Sequence, residues 1–552
     1  MKTKRRIPLY ILTAMGLLGT FGAHGIAIPP ALTTVPVPQT PGLLGGAQPV
    51  IRDLNAARQL GKALFWDMSV GSDGVACATC HFHAGADRRH RNQLDSGSKH
   101  QGAETAKTFE PLPSGQAGGP NATLTKADFP LFRLENPIDK SSNVLFSTDD
   151  VVSSSGVFHG RFEKSPSPQS GEESCMLSMD PLFHLGDRNT RRVSVRNAPT
   201  IYNAGYNYRN FWDGRANNVF NGVSAYGTRD PSAGVWVIKD KKPVFTHLLL
   251  TNASLASQAV APPLDDREMS CQGRRFIDLA KKLLPRKPLV KQHVSQNDSL
   301  LGSLQEPGGL GLKGNYQQLI EKAFDSRFWS SVMPVNGDTD PQMGTRQIEA
   351  NFAFFFGLAI QTYENTLISD QTRFDNPRNA QGEPAALNAA ERRGLGVFKN
   401  ECMLCHQGPT FSAAAHPDVY SIKGAKQRLV DRREINGDFD GSGLAVALID
   451  IGFSNTSVTP TDYDIGLGGM DPYGNPLSYS EQFFEGLKDA NKKMVDPVDI
   501  SVCDFQRPFH MDFSPDELIF RKDASCGKDQ GVGRIPKLSV VLQENQKLER
   551  GR

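Results

Sequence analysis

Four of the chain's eight cysteines fall into two copies of one pattern, Cys77-Ala-Thr-Cys80-His81 and Cys402-Met-Leu-Cys405-His406. Two thiols three positions apart on a tight helical turn can each bond one vinyl group of a haem. The adjacent histidine then turns its imidazole to the iron. From 8 Cys and 12 His in 552 residues, chance supplies about 0.0025 such matches. Two rival chemistries use the same thiols: a zinc site built from both pairs and a thioredoxin-like redox pair. Neither explains a histidine after the second cysteine both times. Two covalently bound haem c groups are therefore expected, with His81 and His406 as the metal ligands.

Cys175, Cys271, Cys503 and Cys526 are too widely spaced for a haem motif and can pair in three ways. The nearest pair, Cys503 and Cys526, is favoured, closing a loop worth roughly 3 kcal/mol in the chain-entropy model. Cys175–Cys271 is the weaker expectation, and free thiols are the alternative. Disulfides need an oxidising compartment, and the N-terminus supplies the route. Lys2, Lys4, Arg5 and Arg6 precede an apolar run from Ile7 to Phe21 and the small residues of Gly22–Ala27. That is the layout of a secretory signal peptide over 1–27. The run is short for a bilayer span, so a periplasmic mature protein with no membrane span is expected. Charge nearly cancels, with 61 Lys and Arg against 59 Asp and Glu. A nucleic-acid binder usually shows a larger basic excess, so no nucleic-acid partner is expected. Hydrophobic residues at 38% exclude a wholly disordered chain.

Several elements must position the two motifs. Residues 28–50 read as a linker rich in Pro, Gly and Thr. Leu54, Ala57, Leu60 and Leu64 share a face and predict a helix from Leu54 to Trp66. It leads through Gly71-Ser-Asp-Gly74 to Cys77. From about 84 to 190 the chain is polar and loop-like. Helical spacing returns over Tyr316–Trp329 and, most clearly, over Thr345–Thr366. Asn388 with Glu391 three positions on forms a capping box for a helix that delivers Cys402. The fold class expected is mainly α, as two c-type cytochrome domains with long loop-rich insertions. Their bounds are 51–314, with the polar insertion, and 315–552.

Arg196-Asn-Ala-Pro-Thr-Ile-Tyr-Asn-Ala204 and Phe211-Trp-Asp-Gly-Arg-Ala216 resemble the signature block of bacterial di-haem cytochrome c peroxidases. Leu64-Phe-Trp-Asp67 and Cys405-His-Gln-Gly-Pro-Thr-Phe-Ser412 resemble the same family. Cys80-His-Phe-His-Ala-Gly-Ala-Asp87 and Phe220-Asn-Gly-Val-Ser224 are similar to its large-insert branch. The enzyme that matures the tryptophan-derived quinone of methylamine dehydrogenase is a cousin.

The resemblance implies a division of labour. The haem on Cys77, Cys80 and His81 would be peroxidatic, and the haem on Cys402, Cys405 and His406 would accept electrons. Trp212 matches the tryptophan between the haems. Gln258 and Glu268-Met269 match the family's glutamine and catalytic glutamate, ten residues apart. A carboxylate there can take a proton from one peroxide oxygen and return it to the other. Asn197 matches a residue of an inter-domain calcium site, so one calcium ion is a further expectation. Hydrogen peroxide and a small cytochrome c or cupredoxin donor are the implied partners, and a homodimer is compatible with the family.

Two departures stand out. Some members carry a distal histidine where this chain has Asn189, leaving His184 and His159 nearby. The family also continues beyond a point like Gly551-Arg552. The resemblance therefore implies a truncated C-terminal domain, lacking that haem's sixth ligand and the carbonyls that complete the calcium site. Met470 and Met511 are the local candidates for that ligand. The alternatives to a peroxidase are an oxidative maturation enzyme acting on protein tryptophan and a non-catalytic di-haem electron carrier.

Overall fold

The computed structural model describes residues 28–97, 108–139, 141–164, 173–335, 344–403, 406, 408–420, 429–435, 445–454, 464–488, 495–496, 518–519 and 534–535. Six of its helices matter for the site: α1 (Leu54–Trp66), α2 (Ser254–Ala259), α3 (Phe276–Leu283), α4 (Tyr316–Ala323), α5 (Phe352–Glu364) and α6 (Ala389–Val397). Asp53 starts α1, its carboxylate accepting the Ala56 N–H at 2.9 Å. Ala56, Ala57, Leu60, Ala63 and Leu64 are buried, and α1 packs on α4 and α5. The α1–α5 crossing is close: a Cβ on Gly61 would lie 2.0 Å from the Ala359 carbonyl oxygen.

All residues of α5 are buried. A helix apolar on every side belongs in the middle of a core, and its Phe352, Phe354, Phe355 and Phe356 are fully enclosed. Each contributes about 1.5–3 kcal/mol by leaving water. The helical spacing over Thr345–Thr366 predicts one helix, but the chain breaks at Asn351 between Gln347–Ala350 and α5. The Asn351 amide donates to the Trp236 and Phe328 carbonyls at 2.7 and 2.8 Å and accepts the Trp236 N–H at 2.9 Å. They anchor Asn351 at φ −90° and ψ 9°, away from helical values. Residues 28–50 lie against the core, with Leu32, Leu43 and Val50 buried.

The mainly α expectation is corrected: 27% of the structure is helix and 15% is strand. Every sheet among the described residues has only two strands. Four of these ribbons fall between 84 and 190, where the sequence shows no helical period. They are Leu94–Asp95 with Val151–Val152, Phe132–Leu134 with Val144–Ser147, Gly160–Lys164 with Ser174–Leu177, and His184–Leu185 with Arg188–Asn189. Strands this short have no room for period-2 alternation to become visible. A disulfide joins Cys175 to Cys271 and ties the third ribbon to the turn after Glu268. Cys503 and Cys526 lie outside the described residues.

Ion pairs, two of them fully buried, connect the 196–229 stretch to later segments. Arg209 meets Asp450 at 2.8 Å with both side chains 3% exposed, Arg229 Nε meets Asp496 at 2.8 Å, and Arg196 Nε meets Asp464 at 3.0 Å. No described helix is long and apolar enough to cross a membrane.

Candidate functional site

Asp67 fixes the end of α1. Its carboxylate accepts from the Ser69 and Leu289 N–H groups, each at 2.7 Å, and from the Tyr316 hydroxyl at 2.8 Å. From this knot the chain enters the helical turn Cys77–Cys80, and His81 closes it. Cys77, Cys80 and His81 line one cavity of about 370 Å³. The His81 Nδ1 is bonded to the Pro199 carbonyl at 2.7 Å, which leaves Nε2 as the metal-facing nitrogen. Burial lowers the His81 pKa, against the Pro199 hydrogen bond and Asp87, and keeps the ring neutral.

The thiols separate the rival chemistries. Burial raises Cys77, with Glu364 adding to it. Burial also pushes Cys80 up to about 11, although Arg89 pulls the other way and donates to its Sγ at 3.2 Å. A redox-active pair has a depressed thiol pKa, and the burial of Cys77 and Cys80 works against that. Among the described residues, no group of three metal-binding side chains includes Cys77, Cys80 or Cys402. Two protonated thiols and one neutral imidazole opening on one cavity fit a covalently attached haem c.

Glu268, Gln258 and Trp212 line the same cavity. Gln258 projects from α2. Glu268 sits on a tight turn in which the Glu268 N–H donates to Asp265 Oδ1 at 3.1 Å. Ser72, just ahead of the first haem motif, donates its N–H to the Met269 carbonyl at 2.9 Å and accepts the Cys271 N–H at 3.0 Å. Gly156 closes against this turn, since a Cβ there would lie 2.3 Å from the Glu268 carbonyl oxygen. Burial raises the Glu268 pKa to about 8; Asp265 adds like charge and Arg215 opposes both.

Two further cavity residues went unassigned at the sequence level. Arg215, inside the Phe-Trp-Asp-Gly-Arg block, pairs with Asp213 at 3.0 Å and brings positive charge towards Glu268. Glu364, the last residue of α5, is 3% exposed, and burial alone raises it to about 8. Its Oε2 has no hydrogen-bond partner. In sequence it reads as the polar end of a helix, and only tertiary packing encloses it.

Trp212 is 54% exposed and donates its indole N–H to the Asn197 carbonyl at 2.9 Å. Ser412 and Ala414, a few residues after the second motif, line the same cavity. The Asn197 side-chain amide lies among backbone carbonyls, donating to those of Asp87 at 3.3 Å and Ala198 at 3.2 Å. Asn189 bonds Asp180 and Ser178 as a structural amide. His184 and His159 do not line the cavity.

At the second motif, α6 starts at Asn388, whose side chain accepts the Glu391 N–H at 2.9 Å. None of the α6 residues is buried. Cys402 and His406 are exposed, and His406 Nδ1 is bonded to the Phe411 carbonyl at 3.1 Å. Cys405 and Met511 lie outside the described residues, and Met470 is 60% exposed.

Paired haem motifs, with a half-buried acid of raised pKa and a motif tryptophan on the first cavity, define a class. A family model for di-haem cytochrome c peroxidases matches residues 55–383, and the chain belongs to that family. Among curated proteins it is similar to the cytochrome-c peroxidase IdrP1 of Pseudomonas sp. (strain SCT), 33% identical over 63 residues, 11% of this chain and 17% of the relative. IdrP1 of Denitromonas iodatirespirans is 35% identical over 71 residues, 11% of this chain and 19% of the relative. The chain thus aligns with less than a fifth of either relative's length.

Proposed function

We propose that this chain is a periplasmic di-haem peroxidase that reduces hydrogen peroxide to water with electrons from a small cytochrome c or cupredoxin. The observation that carries the reading is Glu268, a half-buried acid with a raised pKa that lines the same cavity as Cys77, Cys80 and His81. A haem c held by Cys77, Cys80 and His81 would supply the redox chemistry that O–O cleavage needs. The balance is H₂O₂ plus two protons and two electrons to two waters. Glu268, when ionised, takes the proton from one peroxide oxygen and returns it to the departing one. Arg215 stabilises negative charge developing beside it, and Gln258 orients the peroxide. The walls from α2 and α5 limit water around these groups. A mere carrier needs no acid in such a place.

Trp212 is assigned the relay from the second haem, held by Cys402, Cys405 and His406. The exposure of Cys402 and His406 suits docking of an electron donor. The export leader and the Cys175–Cys271 disulfide support the compartment. The test is peroxide consumption by the full protein with reduced cytochrome c, with the haem count from a pyridine haemochrome assay. Saturable turnover at two haems per chain is expected. Two haems with no peroxide consumption would sink the peroxidase reading and leave tryptophan oxidation or simple electron transfer.

A further inference from the structure

The insertion between the first haem motif and Arg196 carries a separate convergence of acids. Glu110, Asp149 and Asp150 each place one carboxylate oxygen within 4.8 Å of the other two. Asp150 is 3% exposed. Its Oδ2 accepts the Glu110 N–H at 3.1 Å, whereas Oδ1 is buried without a hydrogen-bond partner. A carboxylate oxygen removed from water and given no donor is costly. Thr148 orders the corner: its hydroxyl donates to Glu110 Oε2 at 2.5 Å and accepts the Asp150 N–H at 2.9 Å. Asp95, on the paired strand, is 1% exposed and is answered by Arg267 at 3.2 Å.

Asp150 Oδ1, enclosed and without a donor, marks this corner as a place for a cation. Three carboxylates, with no nitrogen or sulfur among them, match the oxygen-only donor set of calcium. Magnesium demands a stricter octahedron and holds its waters more tightly.

We infer that Glu110, Asp149 and Asp150 form a calcium site within the insertion, apart from the haem cavity and from Asn197. Its place gives it a structural consequence. From Asp150 the chain runs through Val151–Val152, paired with Leu94–Asp95, to Ser154 and Gly156 on the cavity wall. A cation at the corner pins the base of that wall.

The test is calorimetric titration of the holoprotein with calcium chloride after EDTA treatment and dialysis. Wild type is run beside Asp150→Asn, Glu110→Gln and Asn197→Ala. Wild type is expected to bind with a dissociation constant at or below about 10⁻³ M. Both cluster variants should lose that equivalent or weaken at least about tenfold, and Asn197→Ala should keep it. Calcium should raise the wild-type Tm and leave that of the cluster variants unmoved. Should Asp150→Asn fail to fold, Glu110→Gln, at a half-buried position, carries the comparison. Equal calcium binding by wild type and the cluster variants would overturn the inference. So would an Asp150→Asn protein more stable than a wild type that ignores calcium, which would place a proton on Asp150.

Discussion

His81 and His406 each lend Nδ1 to a backbone carbonyl, of Pro199 at 2.7 Å and of Phe411 at 3.1 Å. Around that shared device the two regions part. The helix feeding the first motif, α1, is wedged against α5, and the cavity beyond it holds buried Glu364, half-buried Glu268 and the cation of Arg215. The helix feeding the second, α6, buries none of its residues, and Cys402 and His406 face outwards. One sequence pattern thus serves two settings. Proton-coupled bond cleavage gains from enclosure, which shifts acids towards neutral pH. Electron exchange with a partner protein needs a surface.

The contrast can be broken at several points. The largest effect should come from Glu268. Burial and Asp265 hold its pKa near 8, so the base form is scarce at lower pH. The kcat/KM for peroxide should rise about tenfold per pH unit up to that limb. Asp265→Asn removes like charge and should move the limb to lower pH. A profile flat from pH 6 to 9 in both proteins would separate Glu268 from the proton step.

Glu364 sharpens the enclosed side further. Its folded pKa, about 8, stands above the 4.5 of an exposed glutamate, so the folded state holds its proton longer. Stability should therefore fall as pH rises from about 4.5 to 8, by up to a few kcal/mol, and level off above. Glu364→Gln should flatten that slope in urea unfolding curves measured across the range. An unchanged slope would show that the carboxyl finds water or a partner.

The feeding helices give the next two tests. Gly61→Ala forces a methyl against the Ala359 carbonyl oxygen and should cost about 1–3 kcal/mol of stability, measured as a lowered Tm. Gly394→Ala on α6 meets nothing within 4 Å. It should raise helix stability by roughly 0.5–1 kcal/mol. Equal responses in thermal melts would erase the distinction between the helices.

Local signals carried far in this chain. The Leu54–Trp66 helix and the Asn388–Glu391 cap are both read from spacing and found in place, because each depends on contacts within a few residues. The haem motifs are legible for the same reason. Gln258, Glu268 and Trp212 came only through resemblance, and the fold brings all three to the Cys77–His81 cavity. Glu364 and Arg215 were missed as site residues, since their burial is created by segments distant in sequence. Cys175 and Cys271 are 96 residues apart, and nothing local selects that pairing over its rivals. The ribbons of the insertion escaped because strands of two to five residues leave no period to read.

The claim that the enclosed cavity performs the chemistry is tested most directly by one number. That number is the second-order rate constant for peroxide reacting with fully reduced Glu268→Gln, by stopped flow, relative to wild type. With two haems confirmed on each protein, a loss of about 10²–10⁴-fold is predicted. A rate within twofold of wild type would contradict it and move the reaction away from Glu268.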